Sequence, residues 1–77
     1  MKQVQVLINT PEKAERLCHI LGGFYGPFDL ARGSYTVDGK SILGIYSMDL
    51  SAPLTLTIYN ESEPVIEHLD EFLTADN

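Results

Sequence analysis

The sequence predicts an α+β domain in which helices cover one face of an antiparallel sheet. Four segments alternate apolar and polar residues with the period of two that strands have, and other segments repeat apolar residues at helical spacing. The predicted order is strand, helix, strand, strand, short helix, strand, helix. Four strands with all their helices on one side form a two-layer open-faced sandwich, and the second face of an antiparallel sheet can be solvated.

The first strand leads directly into the first helix. Val4, Val6 and Ile8 alternate with Gln3 and Gln5, a pattern that Leu7 breaks, which indicates a half-buried strand. Thr10 is suited to cap the helix, with Pro11 at its first position. Apolar residues then recur at spacings of three, four and seven until two glycines end the helix: Ala14, Leu17, Cys18, Leu21, then Gly22 and Gly23.

The next two strands form a hairpin in this prediction. Segments 28–31 and 34–37 alternate apolar and polar residues, and Arg32 with Gly33 fits a tight turn between them. Asp38 and Gly39 end the second of these strands. The clearest strand of the chain is 54–59, in which leucine and isoleucine alternate with threonine and tyrosine.

Two segments have helical spacing. Residues 41–48 fit a short helix through Ile42, Leu43 and Tyr46, although a strand following the Asp38–Gly39 turn has the same apolar content. A final amphipathic helix is predicted to start near Ser62 and Pro64, with Glu61 and Glu63 favourably placed at its positive end. Its apolar stripe consists of Val65, Ile66, Leu69, Phe72 and Leu73.

Composition limits the class of protein. The 77 residues suffice for one small domain, 1–77, and 44% hydrophobic against 21% charged residues is a globular balance. Eleven Asp and Glu against five Lys and Arg give a charge of −6, which argues against a nucleic-acid partner and against a polybasic membrane patch. Cys18, the single cysteine, allows no internal disulfide and fits no zinc-ligand spacing, so we expect no metal and no cofactor. Because the N-terminus lacks the apolar run of a secretion signal and no segment has the length of a membrane span, we expect a cytoplasmic protein.

The run DGKSILGI at 38–45, together with the element order, resembles the HPr family, the histidine-containing phosphocarriers of the bacterial sugar phosphotransferase system. Family members have a similar Lys-Ser-Ile-Met-Gly run before a short second helix, and segment 54–59 is similar to their fourth strand. The resemblance covers essentially the whole chain. It implies a helix at 41–48 and a sheet of order 1-4-2-3, whereas a ferredoxin-like sheet would have the order 4-1-3-2.

The resemblance also assigns the phosphate-accepting position. In the family, the first strand leads into Gly-Ile-His-Ala-Arg-Pro, in which the His carries the phosphoryl group and the Arg helps to hold it. Counted back from Lys40 and Ser41, this His falls at Thr10 and the Arg at Glu12. Threonine has no imidazole nitrogen that is nucleophilic near neutral pH, and a carboxylate would repel a phosphoryl group. We therefore expect a divergent member without histidine phosphotransfer. It would not be an enzyme and would act by binding a protein partner, such as a kinase, a transcription regulator or a phosphotransferase-system component.

The same run provides candidate regulatory and docking residues. Ser41 is an N-cap candidate, and it matches the serine that many Gram-positive family members phosphorylate for regulation. A phosphate there would meet the free amides of the helix end, with Lys40 adjacent. Lys40, Ile42, Leu43 and Tyr46 are the candidates for partner docking, and core packing is the alternative for the apolar three.

Two other functions remain open from the sequence. A working phosphocarrier would need a different acceptor, for which His19 is the candidate. However, His19 follows Glu15 by four residues on the solvent side of the first helix, which favours an ordinary surface pair. A small-molecule sensor of ferredoxin-like topology is the other possibility, and the strand order distinguishes it from the HPr-like fold.

Overall fold

The computed structural model describes residues 1–60 and 64–74, and the elements in these ranges follow the predicted order. The strands are β1 (Lys2–Val6), β2 (Phe28–Arg32), β3 (Tyr35–Asp38) and β4 (Leu54–Ile58). The α-helices are α1 (Pro11–Gly22) and α2 (Ile42–Tyr46), and a short 3₁₀ helix spans Val65–His68. Residues 42–46 are therefore helical, as predicted, and not a strand. In the described ranges no helix combines the length and apolarity that crossing a membrane requires.

The four strands form one antiparallel sheet of order β1-β4-β2-β3. This confirms the order 1-4-2-3 and excludes the ferredoxin-like order 4-1-3-2. The register aligns Val4 with Leu56 and Leu56 with Leu30, so one buried apolar row crosses three strands. A slip of one residue in any of these strands would turn this row toward water, which is why burial of one face fixes the register.

The core lies between one face of the sheet and the helices. α1 buries Ala14, Leu17 and Leu21 there, and α2 buries Ile45. The opposite face of the sheet is polar and internally bonded. The side-chain amides of Gln3 and Gln5 on β1 donate to the hydroxyls of Thr57 and Thr55 on β4 at 3.2 and 2.8 Å. The fold is thus an open-faced sandwich with a hydrogen-bonded polar outer face.

The β2–β3 hairpin turns one residue later than predicted. Arg32 pairs with Tyr35, so the two loop residues are Gly33 and Ser34 rather than Arg32 and Gly33. Gly33 has a φ of 60°. A positive φ at the first loop position is what a two-residue type II′ turn requires, and glycine adopts it without the strain that an arginine would have.

The C-terminal segment differs from the predicted amphipathic helix. Within residues 64–74 only Val65–His68 is helical, in 3₁₀ form, and the chain then reaches the outer edge of β1. There the Leu7 amide donates to the Phe72 carbonyl at 2.7 Å, and the Thr74 amide donates to the Gln5 carbonyl at 3.2 Å. These bonds satisfy backbone groups that an edge strand would otherwise leave unpaired.

The predicted stripe of this segment is nevertheless largely buried. Val65, Leu69 and Phe72 are almost wholly inaccessible, while Ile66 and Leu73 pack partly buried against the core. Of the residues at the expected helix start, Pro64 directly precedes the 3₁₀ helix, and Glu61, Ser62 and Glu63 lie outside the described residues.

Candidate functional site

The N-terminus of α1 is the position to which the family resemblance assigns a phosphate acceptor. Thr10 has extended backbone geometry there, and its hydroxyl accepts a 3.1 Å hydrogen bond from the Lys13 amide. Its carbonyl oxygen accepts from the Ala14 amide at 3.1 Å. Thr10 is thus the N-cap of α1, a role that contributes about 1 kcal/mol to stability. Glu12 is exposed in the first helical turn, where its charge complements the helix dipole.

Ser41 has the corresponding role at α2. Its hydroxyl accepts a 3.2 Å bond from the Gly44 amide, and its own amide donates to the Asp38 carbonyl at 3.0 Å. The residue is partly exposed. Gly44 allows α2 to lie close to β3, because a Cβ at this position would come within 3.2 Å of the Val37 Cβ. Sequence reasoning predicted the cap but not this close approach.

The α2 patch, defined as Ile42, Leu43 and Tyr46, is exposed to different degrees. The Leu43 side chain is 79% exposed and Tyr46 is 42% exposed, whereas Ile42 packs partly buried against the core. Ile45, between them, is fully buried. Helical geometry explains the division, since successive residues point about 100° apart and a five-residue helix can turn only part of its circumference to the core.

Lys40 is held by several contacts within the protein. Its ammonium donates to the carbonyl oxygen of Phe24 at 2.7 Å and lies 5.4 Å from the centroid of the Phe28 ring. Its amide donates to a carboxylate oxygen of Asp38 at 2.9 Å, and its carbonyl accepts from the Cys18 thiol at 3.3 Å. Lys40 therefore ties the N-terminus of α2 to α1 and to the loop before β2. Its ammonium, considered from the sequence as support for a phosphate on Ser41, is bound to this loop.

Cys18 lies partly buried at the α1–α2 contact. Burial, and secondarily the negative charge of Asp38, raise the pKa of its thiol. A protonated thiol is a poor nucleophile and a poor metal ligand. Within residues 1–60 and 64–74, no three His, Cys, Asp or Glu side chains are grouped so that they could hold a metal ion.

The exposed side of α1 has a shallow, open surface depression, here named the α1 groove. It is lined by Glu12, Glu15, Arg16, His19 and Ile20. The guanidinium of Arg16 binds the Glu71 carboxylate at 2.7 Å, which links α1 to the C-terminal segment. His19 is exposed on the solvent side of α1, as predicted.

The α1 groove and the α2 patch meet at Tyr46. Loss of hydration is the largest influence that raises the pKa of the Tyr46 hydroxyl, followed by the negative charge of Glu15, with a smaller influence of Glu12. Folding therefore brings carboxylates of α1 beside the exposed tyrosine of α2. No local pattern in the sequence signals this, because the two helices are separated by the whole β2–β3 hairpin.

Another link that the sequence did not reveal holds the end of α2 against β3. The hydroxyls of Tyr35 and Ser47 lie 2.8 Å apart, and the Ser47 hydroxyl donates to the Gly44 carbonyl at 2.6 Å. Hydroxyl-bearing residues are common in strands and at helix ends, so their pairing becomes visible only when the fold is known.

The solved structures that resemble this chain over most of its length include two HPr proteins. Phosphocarrier protein HPr from Bacillus anthracis str. Ames is 25% identical, with a TM-score of 0.69 over 95% of this chain and 94% of that one. HPr-C-His from Thermoanaerobacter tengcongensis is 23% identical, with a TM-score of 0.78 over 92% of this chain and 89% of that one. No protein-family model and no curated protein matches the sequence. The strand order and these two similarities together show that the chain has the HPr-like fold, the open-faced α+β sandwich of the HPr phosphocarriers.

Proposed function

We propose that this HPr-like protein is a cytoplasmic, non-enzymatic regulatory module that binds a protein partner and does not transfer phosphoryl groups on histidine. The proposed partner is a kinase, a transcription regulator or a component of the phosphotransferase system. One of its structural neighbours is a phosphocarrier protein by name, which supports a partner from that context.

The observation that carries the proposal is the chemistry of the first turn of α1. A phosphohistidine requires an imidazole and nearby donors for the phosphoryl oxygens. Here the hydroxyl of Thr10 is used as a helix cap, and the exposed charge of the first turn is the carboxylate of Glu12. A dianionic phosphoryl group would be repelled by this carboxylate.

The α2 patch supports protein binding. Leu43 is 79% exposed beside the partly exposed Tyr46, so a hydrophobic and an aromatic side chain together face water. Burying such side chains against a partner gains the free energy of removing apolar surface from water, and tyrosine is enriched among the residues that dominate interface energies.

Ser41 is the proposed point of control. A phosphate on its hydroxyl would add a charge of about −1.5 to −2 only two residues before Leu43, at the edge of the α2 patch. The Ser41 side chain is partly exposed, as modification requires. Phosphorylation would also replace the neutral cap of α2 with an anionic one.

The loss of phosphotransfer is tested with the first enzyme of the phosphotransferase system and phosphoenolpyruvate. The readout is intact mass measured under alkaline conditions, which preserve phosphohistidine, with an HPr phosphocarrier as the positive control. We expect no mass gain in this protein. A gain of one phosphoryl group that disappears in His19→Ala would contradict the proposal and identify His19 as the acceptor. In the doubly substituted Thr10→His, Glu12→Arg variant we expect phosphate to be accepted.

Partner binding is tested by pull-down from the native cytosol, comparing the protein with matched variants. Tyr46→Ala and Tyr59→Ala remove tyrosines of similar exposure, 42% and 45%, from different surfaces. A partner of the α2 patch should be recovered with Tyr59→Ala and lost with Tyr46→Ala or Leu43→Ser. Equal recovery by all variants would contradict the assignment of the patch.

A further inference from the structure

The α1 groove brings two carboxylates to the rim of the α2 patch. Glu12 and Glu15 are exposed on α1 and line the groove. α1 packs against α2, and the Cys18 thiol of α1 donates to the Lys40 carbonyl just before α2 at 3.3 Å. The charges of both carboxylates raise the pKa of the Tyr46 hydroxyl on α2. The apolar centre of the surface is Leu43, whose side chain is 79% exposed. A surface with an apolar centre and acidic side chains around it is selective for its partner. It repels acidic partners and attracts basic ones.

Two cations near α1 are held by other groups. The Arg16 guanidinium, in the same groove, is bound to Glu71 at 2.7 Å. The Lys40 ammonium is bound to the Phe24 carbonyl at 2.7 Å. Within the described residues neither cation forms an ion pair with Glu12 or Glu15, and the chain as a whole carries a net charge of −6.

We propose that the α1 groove and the α2 patch together bind a protein segment that presents Lys or Arg beside an apolar side chain. The apolar side chain lies on Leu43 and Tyr46, and the cationic groups lie against Glu12 and Glu15. This inference rests on the proposed protein-binding function and adds the chemistry of the partner. It predicts that the partner surface is basic and that a phosphate on Ser41 strengthens its charge attraction.

The test uses two synthetic peptides and the ¹⁵N-labelled full-length protein. Both peptides contain the same central leucines; one flanks them with Lys and Arg, and the other flanks them with Glu. Amide shift changes are followed during titration at low salt. We expect the basic peptide to move the amides of residues 12–20 and 42–47 and the acidic peptide to leave them unchanged. Added salt should weaken the binding, since surface charges are screened over roughly 10 Å at 0.1 M ionic strength.

Matched variants separate this surface from the overall negative charge. Glu12→Gln with Glu15→Gln and Glu67→Gln with Asp70→Asn each remove two exposed carboxylates, the second pair at the other end of the chain. We expect the first pair to weaken binding of the basic peptide by roughly three- to tenfold, the range for two exposed ion pairs, and the second pair to leave it nearly unchanged. Spectra of the free variants report whether each is folded.

Several outcomes would overturn the inference. They are equal binding of both peptides, equal weakening by both variant pairs, binding of neither peptide, or shift changes confined to the polar face of the sheet around Asp29. If Leu43→Ser weakens the binding of both peptides equally and the Glu12→Gln, Glu15→Gln variant has no effect, the α2 patch remains a docking site. The inference of a basic partner is then wrong. The phosphotransfer assay tests the proposed function independently. It measures phosphorylation of histidine, which does not require Glu12 and Glu15 to bind a peptide.

Discussion

The ammonium of Lys40 donates a 2.7 Å hydrogen bond to the carbonyl oxygen of Phe24, 16 residues earlier in the chain. The same ammonium lies over the Phe28 ring at 5.4 Å. The sequence made Lys40 a candidate for partner docking, because it directly precedes the α2 patch. In the folded chain Lys40 connects α2 to the loop that leads into β2. Removing its side chain should therefore lower the free energy of unfolding.

We expect Lys40→Met to lower the free energy of unfolding by about 1–2 kcal/mol. The bond from a charged donor and the cation–π contact are lost, while the methionine keeps most of the apolar stem. Urea unfolding measures the change. Lys2→Met, at an exposed position of β1, is the control and should stay within about 0.5 kcal/mol of the parent. Equal effects of the two substitutions would show that the Lys40 contacts contribute nothing to stability.

Two glycines provide a second, matched prediction. Gly26 has a φ of 97°, and a Cβ there would lie 2.8 Å from the Cβ of Asn60. Gly26→Ala should therefore destabilise the protein by about 1–3 kcal/mol. Gly22, at the end of α1, has no positive φ, and a methyl group at this position would meet open space. Gly22→Ala should therefore be neutral or stabilising by up to about 1 kcal/mol. Thermal or urea unfolding of both variants measures the two effects. Similar changes in the free energy of unfolding would contradict the close approach at Gly26.

The elements that the sequence predicted well are those whose pattern arises from burial of one face. The alternation through Val4, Leu30 and Leu56 predicts strands because each packs one side on the core. The caps Thr10 and Ser41 were also predictable, since a hydroxyl that satisfies a free amide of the first turn is a local interaction.

Interactions between distant segments were not predictable in this way. The spacing of Val65, Leu69 and Phe72 suits a helix, yet pairing with the edge of β1 diverts the chain after one 3₁₀ turn. Such pairing depends on a strand more than sixty residues earlier and leaves no local pattern. The meeting of Glu15 with Tyr46 likewise depends on how α1 and α2 pack, so the acidic rim of the candidate site became visible only in the structure.

The hydrogen bond of Tyr59 should make the stability of the protein depend on pH in the alkaline range. Its hydroxyl donates a 2.6 Å hydrogen bond to the Asp29 carboxylate, and this bond is the largest of the influences that raise its pKa. A pKa that is higher in the folded than in the unfolded chain contributes stability that is fully present below the unfolded value of about 10. The contribution is lost as pH rises through the folded value.

We therefore expect the urea midpoint of the parent to fall as pH rises above about 10, and to fall less steeply in Tyr59→Phe, which cannot ionise. Asp29→Asn should shift ionisation of Tyr59 to lower pH, because the carboxylate that disfavours tyrosinate is gone. Tyrosinate absorbance during an alkaline titration reports this directly. An unchanged titration in Asp29→Asn would mean that the hydrogen bond does not govern Tyr59.

Substitutions of Ser41 distinguish a purely structural role from a regulatory one. Its hydroxyl caps α2 through the Gly44 amide at 3.2 Å, so Ser41→Ala should cost about 1 kcal/mol of stability. Aspartate can accept the same bond, and its charge interacts favourably with a helix N-terminus by about 0.3–1 kcal/mol, so Ser41→Asp should leave the melting temperature unchanged or slightly raised. If Ser41 regulates binding, Ser41→Asp should nevertheless change the affinity for the partner recovered through the α2 patch, because it places a negative charge two residues before Leu43. Calorimetric melting and titration of that partner measure the two effects on the same samples. An affinity equal to that of the parent, with stability preserved, would restrict Ser41 to capping and remove phosphorylation as the means of control.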